Sequence, residues 1–175
     1  LFRSTGAAAT ATVAGSPYAI TPSVAVGNGL SNYTIGYSNG TLTVNKATLT
    51  VTANNQSMTY GGTLPTLTET VTGYVNGETS SVIGGTPTAT TSASSTTNAG
   101  TAIINSSVSG LTATNYNFVT GSNAVLTINK ATLTITANNT SKTYGQTLTF
   151  AGTEFATSGL LNSDSVTSEI GRAHV

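Results

Sequence analysis

Lys46–Tyr60 reads KATLTVTANNQSMTY, and Lys130–Tyr144 reads KATLTITANNTSKTY. The two copies start about 84 residues apart, a domain-sized period rather than the shorter one of most solenoids. Inside each copy apolar and polar residues alternate: Leu49, Val51 and Ala53 face one way, Thr48, Thr50 and Thr52 the other. Period two is the signature of a half-buried strand. Working outward, one whole repeat lies between the copies, the tail of another precedes them and the head of a third follows. The expected organisation is therefore residues 5–45 as the C-terminal part of a repeat, 46–129 as a complete repeat, and 130–168 as the N-terminal part of a third.

The junction before each copy carries its own signal. Leu42 and Val44 are apolar at even positions, whereas Leu49 and Val51 are apolar at odd ones; Leu126/Ile128 and Leu133/Ile135 show the same change. A one-residue change of phase turns every side chain to the other face, so the run is not one regular strand. Either a bulge sits at Asn45–Ala47, or one repeat's last strand hands over directly to the next repeat's first. The restart of the repeat at this point favours the handover. A link this short, without a Gly/Ser-rich stretch, leaves little hinge freedom and predicts a stiff string.

Within 46–129 the strand candidates are Thr48–Ala53, Leu67–Thr72, Thr86–Thr91, Thr101–Ser107, Tyr116–Val119 and Ala124–Asn129. Turn signals separate them at Tyr60-Gly61-Gly62, Tyr74–Glu78, Gly84-Gly85 and Thr97–Gly100. A single helical turn near Asn76–Val82 fits the pattern. Asn-Gly pairs, as at Asn28-Gly29 and Asn39-Gly40, are hairpin signals. The spacing predicts an all-β fold of tandem small sandwich-like modules, Ig-like or related, and about 84 residues suffice for one modest core each. Asn32-Tyr33-Thr34-Ile35 matches Asn115-Tyr116-Asn117-Phe118, and Gly40–Asn45 matches Ala124–Asn129. After Phe150 the third copy departs, with Gly159–Asp164 corresponding to Gly73–Glu78.

Composition narrows the function. Charged residues are 6% of the chain and the net charge is +0, so there is no basic footprint for nucleic acid or an anionic membrane. Ser and Thr make up about a third of the residues and must carry solubility. Without Cys, neither a disulfide framework nor a thiolate metal site can form. No apolar run is long enough to span a bilayer, so membrane insertion by this segment is not expected.

Both ends read as something other than protein. Leu1–Ser4 can be encoded CTC TTC CGA TCT, and Glu169–Val175 can be encoded GAG ATC GGA AGA GCA CAC GTC. The reverse complement of the first lies inside the second, as in sequencing adapters. Residues 1–4 and 169–175 are therefore expected to be adapter-derived. The only histidine, His174, falls there, with Arg172, Glu169 and Arg3.

No constellation points to chemistry. Glu69, Glu78, Glu154 and Asp164 are too scattered for a carboxylate pair or a calcium loop. Gly84-Gly85 lacks the context and the Lys of a phosphate cradle. The Thr rows 48/50/52 and 132/134/136 could suggest ice binding, but a row recurring once per repeat makes no two-dimensional array, and solvent-facing strand positions explain it. Tyr60-Gly61, Tyr144-Gly145, Asn32-Tyr33 and Asn115-Tyr116 are read as corners where a ring packs and Gly supplies a positive φ. No catalytic, cofactor-binding or metal-ligating residue is expected, and the chain is not expected to be an enzyme.

The series K-A-x-L-T-[VI]-T-A-N-N, K/M-T-Y-G, G-Y-V-N-G-E, N-A-G-T, N-Y-N-F and L-T-I-N-K resembles the MBG (mostly β, Gly-rich) and YDG-type repeats of large bacterial surface proteins. It departs at Met58, at Gly62 and after Phe150. The resemblance implies filamentous-haemagglutinin-like adhesins, secreted and held at the bacterial cell surface, and brings no catalytic residues. It implies a structural stalk or spacer whose partners are neighbouring repeats of the same chain, with a host glycan or protein bound through other regions. The alternatives are a β-module that binds a glycan or protein directly, and an accessory domain beside a secreted enzyme. Unpartnered half-repeats predict that the full chain associates while Lys46–Asn129 alone stays monomeric.

Overall fold

The structure, a computed structural model, describes residues 1–169. Those residues form twelve strands: β1 (Phe2–Arg3), β2 (Tyr18–Pro22), β3 (Gly40–Leu42), β4 (Ala47–Ala53), β5 (Gln56–Thr59), β6 (Glu69–Thr72), β7 (Thr88–Thr90), β8 (Gly100–Ser107), β9 (Tyr116–Thr120), β10 (Ala124–Asn129), β11 (Thr134–Ala137) and β12 (Phe155–Ser158). Helical geometry is limited, among these residues, to 3-10 turns of three residues. The chain is all-β, as expected for a Thr/Val-rich sequence poor in strong helix formers.

The chain gathers into two compact units, and segments of 46–129 contribute to both. The first holds Leu1–Asn54, Leu67–Thr90 and Asn105–Asn123. In it β2 pairs antiparallel with β1 and β3. A second sheet places β4 between β6, antiparallel, and β9, parallel. Strand β7 pairs with the far end of β8. Leu49, Val51 and Ala53 of β4 are buried, as is Tyr116 of β9, so the predicted odd-numbered face is the inward one.

The second unit holds Asn55–Thr66, Thr91–Ile104 and the described residues from Ala124 on. Here β10 lies between β5, parallel, and β8, antiparallel, and β11 pairs antiparallel with β12. Ala124, Leu126 and Ile128 of β10 are buried, with Met58, Ala93 and Ile104. Each large apolar side chain buried this way stabilises by about 1.5–3 kcal/mol relative to exposure.

The phase change before each motif is a change of partner. Strand β3 ends at Leu42 on β2, and β4 begins at Ala47 on β6 and β9. Strand β10 ends at Asn129 on β5 and β8, and β11 begins at Thr134 on β12. The residues between are outside strands, so no bulge within a continuous strand is present there.

Two expectations need correction. Gln56–Thr59 lies outside the strand candidates, yet it forms β5, because its partner β10 lies some 70 residues on in parallel register, a pairing with no local signature. The Asn-Gly pairs do not close two-residue hairpins: Asn28-Gly29 lies within the long connection between antiparallel β2 and β3, and Asn39-Gly40 leads into β3. Asn76 and Gly77 adopt φ of 53 and 72, and the Glu78 N–H donates to the Val75 carbonyl at 3.0 Å, a tight turn of the hairpin type. Yet β6 before it pairs with β4, not with a strand after it. Local chemistry sets the turn's dihedrals; distant partners choose the ladder. The helical turn expected near Asn76–Val82 is the 3-10 turn Ser80–Val82.

Candidate functional site

The structural repetition concentrates at the joints around the two K-A-T-L-T copies. Strand β4 meets β6 with Thr50 opposite Thr72 and Ala53 opposite Glu69. Strand β11 meets β12 with Thr134 opposite Ser158 and Ala137 opposite Phe155. The Asn54 N–H donates to the Thr68 carbonyl, and the Asn138 N–H to the Glu154 carbonyl, both at 2.9 Å. Gly73 and Gly159 have φ of 102 and 99, and a Cβ on either would collide with a backbone carbonyl oxygen, that of Thr48 or Thr132. Only glycine fits both the dihedral and the space.

The turn that follows recurs too. Asn162 and Ser163 take φ of 51 and 67, and the Asp164 N–H donates to the Leu161 carbonyl at 2.8 Å, matching Asn76, Gly77 and Glu78. The expected correspondence of Gly159–Asp164 with Gly73–Glu78 is therefore present in three dimensions. In each turn the Asn side-chain amide reaches 67 residues back: Asn76 Nδ2 donates to the Ala9 carbonyl at 3.0 Å, and Asn162 Nδ2 to the Ser95 carbonyl at 2.9 Å. The Ser95 carbonyl also accepts from the Gly61 N–H at 3.0 Å. Gly61, with φ of 78, is in close contact with Leu161, which a Cβ there would strike. The Tyr-Gly corner is thus a seat for the turn that follows the next K-A-T-L-T copy.

Tyr116 anchors the first of these turns. It is 2% exposed, its hydroxyl donates to Glu78 Oε2, and it accepts from the Val75 N–H at 3.1 Å. Tyr74 meets its ring edge-on at 6.3 Å. The hydrogen bond to the Glu78 carboxylate, partly offset by the Val75 N–H and reinforced by burial, raises the phenol above its ordinary 10.0, because ionising it would set two anions together. The corner reading of Asn115-Tyr116 therefore holds. Asn32-Tyr33 does not repeat it: Tyr33 is 73% exposed. Tyr144 is likewise fully exposed, although Gly145 keeps its positive φ of 84. Tyr60 is half-buried, its N–H donating to the Asn129 carbonyl at 2.9 Å.

The remaining polar candidates are dispersed. Glu154 folds back on its own loop and accepts from the Ala151, Gly152 and Thr153 N–H groups at 2.8, 3.0 and 3.1 Å, which lowers its pKa. Glu69 sits on β6. Lys46 Nζ donates to the Ala113 carbonyl at 2.8 Å, and Lys142 Nζ to the Gln146 carbonyl at 3.3 Å. Gly84 bridges to Thr112. The Thr50/Thr52 row is widened by Thr72 and Thr70 on β6, but Gly121 lies against Thr50 and Thr52, so this is not an open plane. Among the described residues no three His, Cys, Asp or Glu side chains cluster to hold a metal, and no helix is long and apolar enough to cross a membrane. Arg172 and His174 lie outside the described residues. An open groove of about 340 Å³ at the second joint is lined by Tyr60, Lys130, Leu133, Leu161 and Asp164, among others.

No curated protein and no solved structure matches the chain. A family model does: residues 49–127, which carry most of β4 through most of β10 and the Tyr60-Gly61-Gly62 corner, match the MBG domain (YGX type), and this stretch of the chain is an MBG-type repeat.

Proposed function

We propose that the chain is a spacer segment of a secreted bacterial surface adhesin, a non-enzymatic run of β-repeats that holds a binding region away from the cell. The match of residues 49–127 to the MBG domain supports a surface-protein repeat module. The observation that carries the stalk role is the joint itself. The same register, the same glycine-carbonyl contact and the same 67-residue Asn bond occur at both copies. Each joint lies inside a compact unit, and only short links, residues 43–46 and 130–133, lead into β4 and β11. Its partners are neighbouring repeats, and a host glycan or protein is met by other regions.

Chains lengthened by whole copies of residues 46–129 test this by solution scattering. A stiff spacer lengthens in proportion to copy number; growth with the square root of copy number, as for a flexible chain, overturns the reading. The complete open reading frame is the second test. Many repeats behind a secretion signal fit a stalk, whereas a few beside a catalytic domain make these modules its accessories. The groove beside Tyr60 and Asp164 favours one other reading, direct glycan binding. Glycan-induced shifts of the Tyr60 ring resonances would mark it.

A further inference from the structure

Tension along the chain enters the repeat over residues 46–129 at β4 and leaves it from β10. Entering tension runs down β4 and, through Asn54 and Asn55, into β5. Leaving tension runs back along β10 and, through residues 121–123, into β9. Strand β9 lies parallel to β4, with Ala47 opposite Tyr116 and Val51 opposite Thr120. Strand β10 lies parallel to β5, with Leu126 opposite Gln56 and Asn129 opposite Thr59. In each ladder the strand dragged backward and the strand dragged forward point the same way, so the load lies along both.

The direction of load decides how a ladder fails. Strands drawn apart from one shared end lose their hydrogen bonds one at a time, each bond carrying the whole force. Strands slid past each other share the force among all their bonds, which must break together. Both parallel ladders continue to their limits. The Ala47 N–H donates to the Asn115 carbonyl at 2.9 Å, and the Gly121 N–H to the Val51 carbonyl at 2.8 Å, at opposite ends of β4 and β9. The Tyr60 N–H donates to the Asn129 carbonyl at 2.9 Å, and the Val125 N–H to Asn55 Oδ1 at 2.8 Å, bracketing β5 and β10. Sliding also strips β4 from β6 and β10 from β8 and displaces buried Leu49, Val51, Leu126 and Ile128.

We propose that these two parallel ladders form a mechanical clamp, and that the repeat's further function is to bear tension applied through its own chain ends. The load-bearing role rests on the spacer reading; the clamp is a property of the repeat itself. Its weak direction lies in the same sheet. Strands β8 and β10 are antiparallel, with Ile128 opposite Gly100, so a pull on Lys130 against Asn98 peels the pair from one end.

Single-molecule force spectroscopy of the full chain is the test, with two pairs of attachment points. The sequence holds no Cys, so introduced thiols alone take the handles. Asn45→Cys with Lys130→Cys loads the parallel ladders in shear, and Asn98→Cys with Lys130→Cys peels β10 from β8. All three positions are exposed and outside strands. The length released, about 3.5 Å per residue between the handles, identifies the segment that opened. At one loading rate the shear pair is expected to open at no less than about twice the force of the peeling pair, because forced unfolding reads the barrier along the pulled direction. Its force is also expected to rise more steeply with the logarithm of loading rate, since sliding fails within about one bond length. Equal forces, a weaker shear pair or equal slopes each overturn the clamp. The reading frame that tests the spacer role alters neither force, so the two readings fail separately.

Discussion

Leu49 and Leu133 occupy the same position of the same motif, yet one is fully buried and the other 42% exposed. Replacing each by Ala separates what the motif contributes from what its neighbours contribute. Three carbons of Leu49 leave a site closed by β6 on one side of β4 and β9 on the other. At about 0.8 kcal/mol per buried methylene the transfer loss is about 2.4 kcal/mol, and an unfilled cavity raises it to about 3–4 kcal/mol. At Leu133 the truncated atoms are already partly in water and no closed cavity results, so about 1 kcal/mol is expected. Urea unfolding with residue-resolved hydrogen exchange reads both values. With a urea slope of about 1.5 kcal/mol/M, Leu49→Ala lowers the midpoint by about 2 M and Leu133→Ala by less than about 1 M. Equal losses at the two sites would show that the motif is stabilised locally and that pairing with β9 does not set its burial.

Three other outcomes follow from the geometry. Gly73→Ala meets both a φ of 102 and the Thr48 carbonyl, and is expected to cost more than about 2 kcal/mol; Gly77→Ala, at φ of 72 in open space, costs about 1 kcal/mol, and chemical denaturation distinguishes them. Asn162→Gly keeps the positive φ but removes the bond to Ser95, so about 0.5–1 kcal/mol is lost, and the Leu161–Asp164 amides should exchange faster. The folded-state pKa of Tyr116 is raised, so its contribution is fully present below about pH 10 and is lost as pH rises from there through the folded value. Tyr116→Phe should remove that part of the alkaline loss of stability, read by denaturation over a pH series.

Much of the fold is legible in particular residues. Alternation at Leu49/Val51/Ala53 and at Ala124/Leu126/Ile128 names strands and the faces they bury, because period two is a property of the backbone. The phase change at residues 43–46 marks a change of sheet, and the glycines and asparagines at 73, 76 and 77 announce positive φ that other residues resist. The joint was legible only in fragments: the Tyr-Gly corner and the G-Y-V-N-G-E turn recur as separate motifs, and no local signal says that one seats the other.

What the sequence by itself determined is which way side chains face within a strand and which dihedrals a turn adopts; both depend on a few adjacent residues. Tertiary structure alone decided which motifs become strands and which side chains are buried. Gln56–Thr59 is a strand on β10, while Thr140–Thr143, in the second copy of the same motif, is not. Tyr116 is buried under Tyr74–Glu78 while Tyr33 stands in solvent. Parallel ladders join residues some 70 apart, and a backbone donor cannot encode the acceptor it will meet at that distance. Only the arrival of the partner strand settles it.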